Sequence, residues 1–249
     1  MTFLQRQFLL FALVAFPSLS PAQSLRLGLQ SGLTLSNAYY QGGPSDFDPS
    51  ALLRTRFGLN MRQPLKKSFK FAWAKFNSKS KVYLDYGVHF NFSGRFFELD
   101  DDRWTAETPA FEVPLILTFQ VANSWWANRH RRNPYAPVWG AQLGLKWSNG
   151  WTRPQSGPLL NAEGVQRASM QVDLARRNNL LLVAGPGVFR ETPTGAQVYI
   201  GLNANFGLLP QLEGTIDWSA SGLAATTDVK SLGSYYSLDL QYFFGPRAA

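Results

Sequence analysis

Asp85, His89 and Ser93 recur at every fourth position of the segment VYLDYGVHFNFS, residues 82–93. An acid, an imidazole and a hydroxyl are the groups that activate a serine nucleophile, and in an exported chain they would suit a lipid hydrolase. Their spacing tells against it. Four residues of extended chain span about 13 Å, so partners for His89 must come from neighbouring strands. A satisfied, structural histidine is the expected state. The other histidine, His130, lies among Arg129, Arg131 and Arg132 with no carboxylate nearby in sequence. The acidic run Glu98–Asp102 could bind a divalent cation, but it lacks the spaced ligands and glycine of a calcium loop and reads as a solvated connector. With 0 cysteines, disulfides, thiolate metal sites and cysteine nucleophiles are excluded. No catalytic residue, cofactor or metal site is expected.

The element carrying these residues says more than the residues do. Val82, Leu84, Tyr86, Val88, Phe90 and Phe92 alternate with Tyr83, Asp85, Gly87, His89, Asn91 and Ser93. A period of two places the sets on opposite faces of a strand. The run is about twice an ordinary soluble strand and matches the roughly 9–11 residues a tilted strand needs to cross a bilayer. Its polar face is small and mostly neutral, where a soluble sheet would carry abundant charge. The pattern predicts an apolar exterior and a polar interior.

The alternation recurs over Leu25–Ser36, Leu53–Gln63, Phe111–Ala122, Tyr135–Ser148, Asn179–Arg190, Gln197–Gly207 and Tyr235–Phe244. Leu180–Val183 is a continuous apolar run, so the faces of that strand are not assigned. With Val82–Ser93 these make eight strands, an even number, as an up-and-down barrel with both termini on one side requires. Connectors near 37–51, 94–110, 149–178 and 208–233 are rich in Gly, Pro, Ser, Asp and Asn and read as long loops. On the other side, 191–195 reads as a short turn, whereas 64–81 and 122–134 are longer than a turn needs. The 64–81 connector holds Lys66, Lys67, Lys70, Lys75, Lys79 and Lys81, and 122–134 holds Arg129, Arg131 and Arg132. The opposite connectors lean acidic, with Asp46, Asp48, Glu98, Asp100, Asp101, Asp102 and Glu107.

Residues 1–22 read as a signal peptide: Arg6, an apolar stretch Phe8–Phe16, then Ser20-Pro21-Ala22, with cleavage expected before Gln23. No later stretch has the 18 or so apolar residues of a membrane helix, so any membrane crossing must use a closed barrel. The chain is 45% hydrophobic but only 16% charged, and its pI near 9.8 in an exported protein points to membrane surfaces rather than nucleic acid.

These strands resemble the PorT-like outer-membrane β-barrel family, related in architecture to the small OmpA and OmpX barrels. The resemblance is carried by FEVPLILTF (111–119), YAPVWGAQLG (135–144), LLLVAGPGVF (180–189) and the aromatic-ended YSLDLQYFF (236–244). Gly245–Ala249 extends past the final aromatic, and the Lys-rich connector is longer than the family's pattern. The resemblance implies a Gram-negative, Bacteroidota-type envelope protein. It implies contact with the barrel-assembly machinery during insertion, and a secretion-associated role in some relatives. It transfers no catalytic residue.

The expected fold is therefore all-β: an eight-stranded antiparallel transmembrane barrel over residues 23–249. Arg54, Arg56, Asp85, His89, Glu112, Lys146 and Asp239, with Arg26 and Arg62, should form a polar network in a lumen too narrow for more than its own side chains. Expected partners are outer-membrane lipids and envelope or periplasmic proteins. Trp104, Trp125, Trp126, Trp147 and Trp151 suit an interfacial girdle or, equally, the core of a soluble sandwich. The expected function is a non-enzymatic structural or accessory envelope component. The alternatives are a secreted lipocalin-like binder of an apolar ligand and an outer-membrane lipid hydrolase using His89.

Overall fold

A computed structural model describes residues 25–36, 39–42, 47–65, 81–99, 102–120, 137–151, 155–219 and 225–245. The expected signal peptide, most of the Lys-rich connector, the Arg-rich connector with Trp125 and Trp126, and Asp46, Asp100 and Asp101 lie outside them. The strands in chain order are β1 (Arg26–Ser36), β2 (Tyr39–Gly42), β3 (Phe47–Pro64), β4 (Lys81–Leu99) and β5 (Asp102–Gln120). There follow β6 (Val138–Gly150), β7 (Gln155–Leu160), β8 (Gln166–Leu174), β9 (Asn178–Glu191) and β10 (Gln197–Gly207). The last are β11 (Leu212–Asp217), β12 (Thr226–Ser231) and β13 (Tyr235–Phe243).

Eight of them close into an antiparallel barrel in the order β1-β13-β10-β9-β6-β5-β4-β3, with β3 returning to β1. Closing the sheet on itself pairs neighbouring strands all the way round and removes the free edges. The ends of β1 and β13 meet at one rim, where Phe244 N–H donates to the Leu27 carbonyl at 2.8 Å. The same terminal end carries the tight β9–β10 turn, with Gly195 at φ 77°. The opposite loop end carries the remaining strands.

The outward faces follow the alternation. Leu59 and Leu202 are each 63% exposed, whereas their inward neighbours Asn60 and Asn203 are 3% exposed. The β9 faces, unassigned from sequence, resolve into Leu181, Val183 and Phe189 inward and Leu182 and Pro186 outward. Inward aromatics lie against glycines. A methyl group on Gly187 or Gly201 would collide with the Tyr199 ring, and one on Gly140 with Phe189, so these three glycines make room for the aromatic layer across the wall.

The long loops expected at 149–178 and 208–233 are instead largely strands. They form, with β2, a five-stranded antiparallel sheet in the order β2-β12-β11-β8-β7. The connectors near 37–51 and 94–110 are also corrected: β3 starts at Phe47, and β4 and β5 run on as a hairpin to Leu99 and Asp102. A β-bulge between Ala51 and Arg56 marks where β3 leaves the barrel. One face of the upper sheet buries Leu159, Ala168, Val172, Leu212, Ile216, Trp218 and Val229, with Trp104 of the β5 extension packed against them. Trp104 thus belongs to this core and not to a girdle, while Trp151, at the end of β6, is 48% exposed.

Candidate functional site

Each barrel strand delivers one inward residue every 2 positions, and the interior they fill is one bonded network. Among the described residues, its buried cations are Arg56, Arg62 and Lys146, and its buried anions are Asp85, Glu112 and Asp239. Equal numbers of each sign leave no uncompensated charge, which a dry interior requires.

At the terminal end, Arg62 of β3 grips Asp85 of β4 with Nε to Oδ1 at 2.8 Å and Nη2 to Oδ2 at 2.7 Å. Such a fork is the geometry guanidinium and carboxylate share. The guanidinium carbon lies 3.9 Å from the centroid of the Phe243 ring and 5.1 Å from that of Tyr83. The aromatic layer therefore covers the ion pair with π faces that themselves favour a cation. Thr118 Oγ1 donates to Asp85 Oδ2 at 2.6 Å, and Gln142 Nε2 donates to Thr118 at 3.2 Å, carrying the network upward.

The middle layer is built of amides. Asn203 Nδ2 reaches both Gln142 Oε1 (3.1 Å) and Asp239 Oδ2 (2.7 Å), and Gln30 Nε2 donates to Asp239 Oδ1 at 3.0 Å. Asn60 Nδ2 donates to Gln30 Oε1 at 2.8 Å. His89 Nδ1 lies 2.7 Å from Arg56 Nη2, and His89 Nε2 lies 2.7 Å from Asn60 Oδ1. A guanidinium only donates, so Nδ1 must accept and Nε2 must carry the proton. The bonding assigns His89 as a neutral imidazole with both nitrogens engaged.

Towards the loop end, Glu112 is the shared anion. It lies 3.7 Å from Arg56 and 3.8 Å from Lys146, and it accepts from the Tyr235 hydroxyl at 2.8 Å and from Asn91 Nδ2 at 3.0 Å. Lys146 Nζ also donates to Asn205 Oδ1 at 2.6 Å, and Arg56 lies 3.4 Å from Asp239.

The structure thus brings Arg56, Asp85, His89, Glu112, Lys146 and Asp239 into one connected set. Arg54 stands half-buried opposite Thr34, nearer the loop end. Arg26 lies at the terminal rim, donating to the Gly195 carbonyl at 2.7 Å and sitting 3.7 Å from Glu191. The acid–His–Ser set is not assembled: Asp85 is engaged by Arg62 and Thr118, and His89 by Arg56 and Asn60. Reading the sequence for charge missed the amides and aromatics that connect the set. Their signal was present in the polar-face positions of Gln30, Asn60, Gln142, Asn203 and Tyr199. Tyr235 and Phe243 also share their parity with Ser237, Asp239 and Gln241. Among the described residues, no group of three or more His, Cys, Asp or Glu side chains is arranged to hold a metal ion.

The class the geometry defines is a closed antiparallel barrel with an apolar wall and a polar, side-chain-filled lumen. No family model matches the chain and no curated protein matches it, so the likeness to PorT-like barrels rests on the sequence motifs alone. Among solved structures the chain is similar to the outer membrane protein OprG from Pseudomonas aeruginosa. The identity is 14%, covering 90% of this chain and 98% of that one, with a TM-score of 0.41. It is also similar to Neisserial surface protein A (10% identity, covering 88% and 97%, TM-score 0.36). A third is the outer membrane enzyme PagL (14% identity, covering 86% and 97%, TM-score 0.35). The fold is defined by the strand pairing of the chain itself; these likenesses assign no activity to it.

Proposed function

We propose that this protein is an integral outer-membrane barrel with a sealed lumen, serving as a non-enzymatic accessory component of the cell envelope. Any recognition it performs is presented by the upper sheet at the loop end. The observation that carries this is the inversion of the usual soluble pattern: the barrel exposes most of its leucines and buries most of its charged and amide groups. Only a hydrocarbon surrounding makes that arrangement favourable. The 11-residue β1, rising about 3.3 Å per residue and tilted by about 35–45°, covers about 25 Å, the height of such an apolar band.

A lipocalin-like binder needs the reverse, a ligand-lined apolar interior, and here that space is occupied by paired charges. A hydrolase using His89 needs that ring reachable, and it is 1% exposed with both nitrogens bonded. The terminal end faces the periplasm in this reading, so the Lys-rich 64–81 and Arg-rich 122–134 connectors meet anionic headgroups, each cation adding about 1 kcal/mol. The PorT-like motifs add a secretion-associated setting in a Bacteroidota-type envelope.

Fractionation tests the reading directly. The chain should stay in the membrane pellet after alkaline carbonate washing, need detergent for extraction, and run on a gel as a compact band that shifts on boiling. Release into the aqueous phase as a soluble, folded protein would overturn it.

A further inference from the structure

The loop end sorts its exposed charge. The face of the upper sheet turned away from its core carries Asp173, Glu213, Asp217 and Asp228, all exposed, and its Lys230 is engaged by Glu213 at 3.4 Å. Where this sheet meets the barrel, in the connector 175–177 between β8 and β9, stand Arg176 and Arg177. Both are exposed, and neither side chain makes a hydrogen bond or ion pair among the described residues. Their backbone is fixed from two sides. Arg176 N–H donates to the Gln211 carbonyl at 3.4 Å, and the Arg177 carbonyl accepts from Gly150 N–H at 2.8 Å. Two uncompensated cations are therefore presented at a set place on the rim.

Following the barrel order β6-β9-β10-β13, the exposed residues at this rim are Trp151, the two arginines, Leu208 and Leu232. Large apolar side chains left exposed beside unpaired guanidinium groups suit one surrounding, the headgroup layer of a bilayer. There a tryptophan or leucine reaches hydrocarbon while a cation reaches phosphate. In water the leucines would be out of place, and in hydrocarbon the arginines would be. An acidic protein partner arriving from solvent meets the acidic sheet face first, whereas a lipid arrives from the side, along the wall. A guanidinium also holds two phosphate oxygens at once, which an ammonium does not. Resting on the membrane-embedded reading above, we infer that Arg176 and Arg177 bind the anionic phosphate headgroup of a lipid in the leaflet at the loop end. Its acyl chain runs down the outside of β9 over Leu182, which is outward and exposed.

The absence of cysteine makes the test clean, because any introduced thiol is unique. Leu182→Cys in the full chain, labelled with a fluorophore, is reconstituted into phosphatidylcholine vesicles. Small amounts of phosphatidic acid or of phosphatidylcholine, each carrying the same quencher on its acyl chain, are then compared. Phosphatidic acid should quench about fivefold more effectively per mole. Salt at about 1 M, where the Debye length is about 3 Å, should remove most of that difference. The same label on Leu35→Cys, outward at the loop end of β1 and three strands away, should report no preference. Arg176→Gln with Arg177→Gln should bring the ratio at position 182 down to that at position 35, and lysine at both positions should keep a preference. Equal quenching by the two lipids at 182, the same preference at 182 and 35, or a preference that survives the double glutamine variant overturns the site. The heat-shifted gel band reports folding of each variant. In each case carbonate-resistant membrane retention shows that the barrel reading itself survives, and its loss shows that both fall.

Discussion

Glu112 carries more of the interior than its single charge suggests. Arg56 and Lys146 both lean on it, and the Tyr235 hydroxyl and Asn91 amide point at it. Glu112→Gln keeps the shape and removes the charge, leaving Arg56 and Lys146 to share Asp239. Breaking a buried pair from one side costs about 3–5 kcal/mol because the remaining charge stays desolvated. Urea unfolding in lipid vesicles, followed by tryptophan fluorescence, should show a loss of that size. The pairing makes a second outcome follow: Glu112→Gln with Lys146→Met restores equal signs and should recover a substantial part of the loss. If the double variant is as unstable as the sum of the two singles, charge balance is not what holds the lumen shut. His89 stands one bond further along the same chain through Arg56. Its conspicuous spacing from Asp85 and Ser93 is a by-product of facing inward on a strand.

The upper sheet is held by a core of its own. Trp218 is fully buried, donates Nε1–H to Thr227 Oγ1 at 2.8 Å, and lies 6.2 Å from the Trp104 ring. Trp218→Ala should remove about 3–5 kcal/mol of local packing. Limited proteolysis should then nick residues 155–174 and 212–231 readily, while the barrel keeps its heat-shifted band. Loss of the barrel band along with the sheet would mean the two do not loosen separately. This sheet also shows where the sequence was legible and where it was not. Most of the barrel strands were readable because they run long and alternate apolar with polar residues. In β8 the same period two is present, Ala168, Met170, Val172 and Leu174 against Arg167, Ser169, Gln171 and Asp173. It runs only 9 residues, its polar face is charged, and glycine- and asparagine-rich turns surround it, so it resembles connector. That is the signature of a half-solvated soluble sheet, which the long neutral-faced pattern of a membrane strand does not match. The lumen was legible as a set of inward positions. Which of them bond each other depends on register across eight strands, and no single strand's pattern contains that.

Taken together, the molecule joins two sheets obeying opposite rules, and the depth at which the rule changes can be measured. Leu202 lies mid-way along β10, outward and 63% exposed; Leu208 lies just past the loop-end limit of the same strand, 54% exposed. In a water-soluble protein, replacing either exposed leucine by arginine would cost almost nothing. In a bilayer the cost depends on depth: about 2–4 kcal/mol at the midplane against about 0–1 kcal/mol near the interface. Leu202→Arg should therefore destabilise the vesicle-embedded barrel by the larger amount in urea unfolding, and Leu208→Arg by the smaller. Arg190, outward at the terminal end of β9, shows that the chain already tolerates this residue at a rim. Equal costs at 202 and 208 would place both positions in the same surroundings. The apolar belt would then not be a membrane contact, and the paired charges of the lumen would need a different explanation for being turned inward.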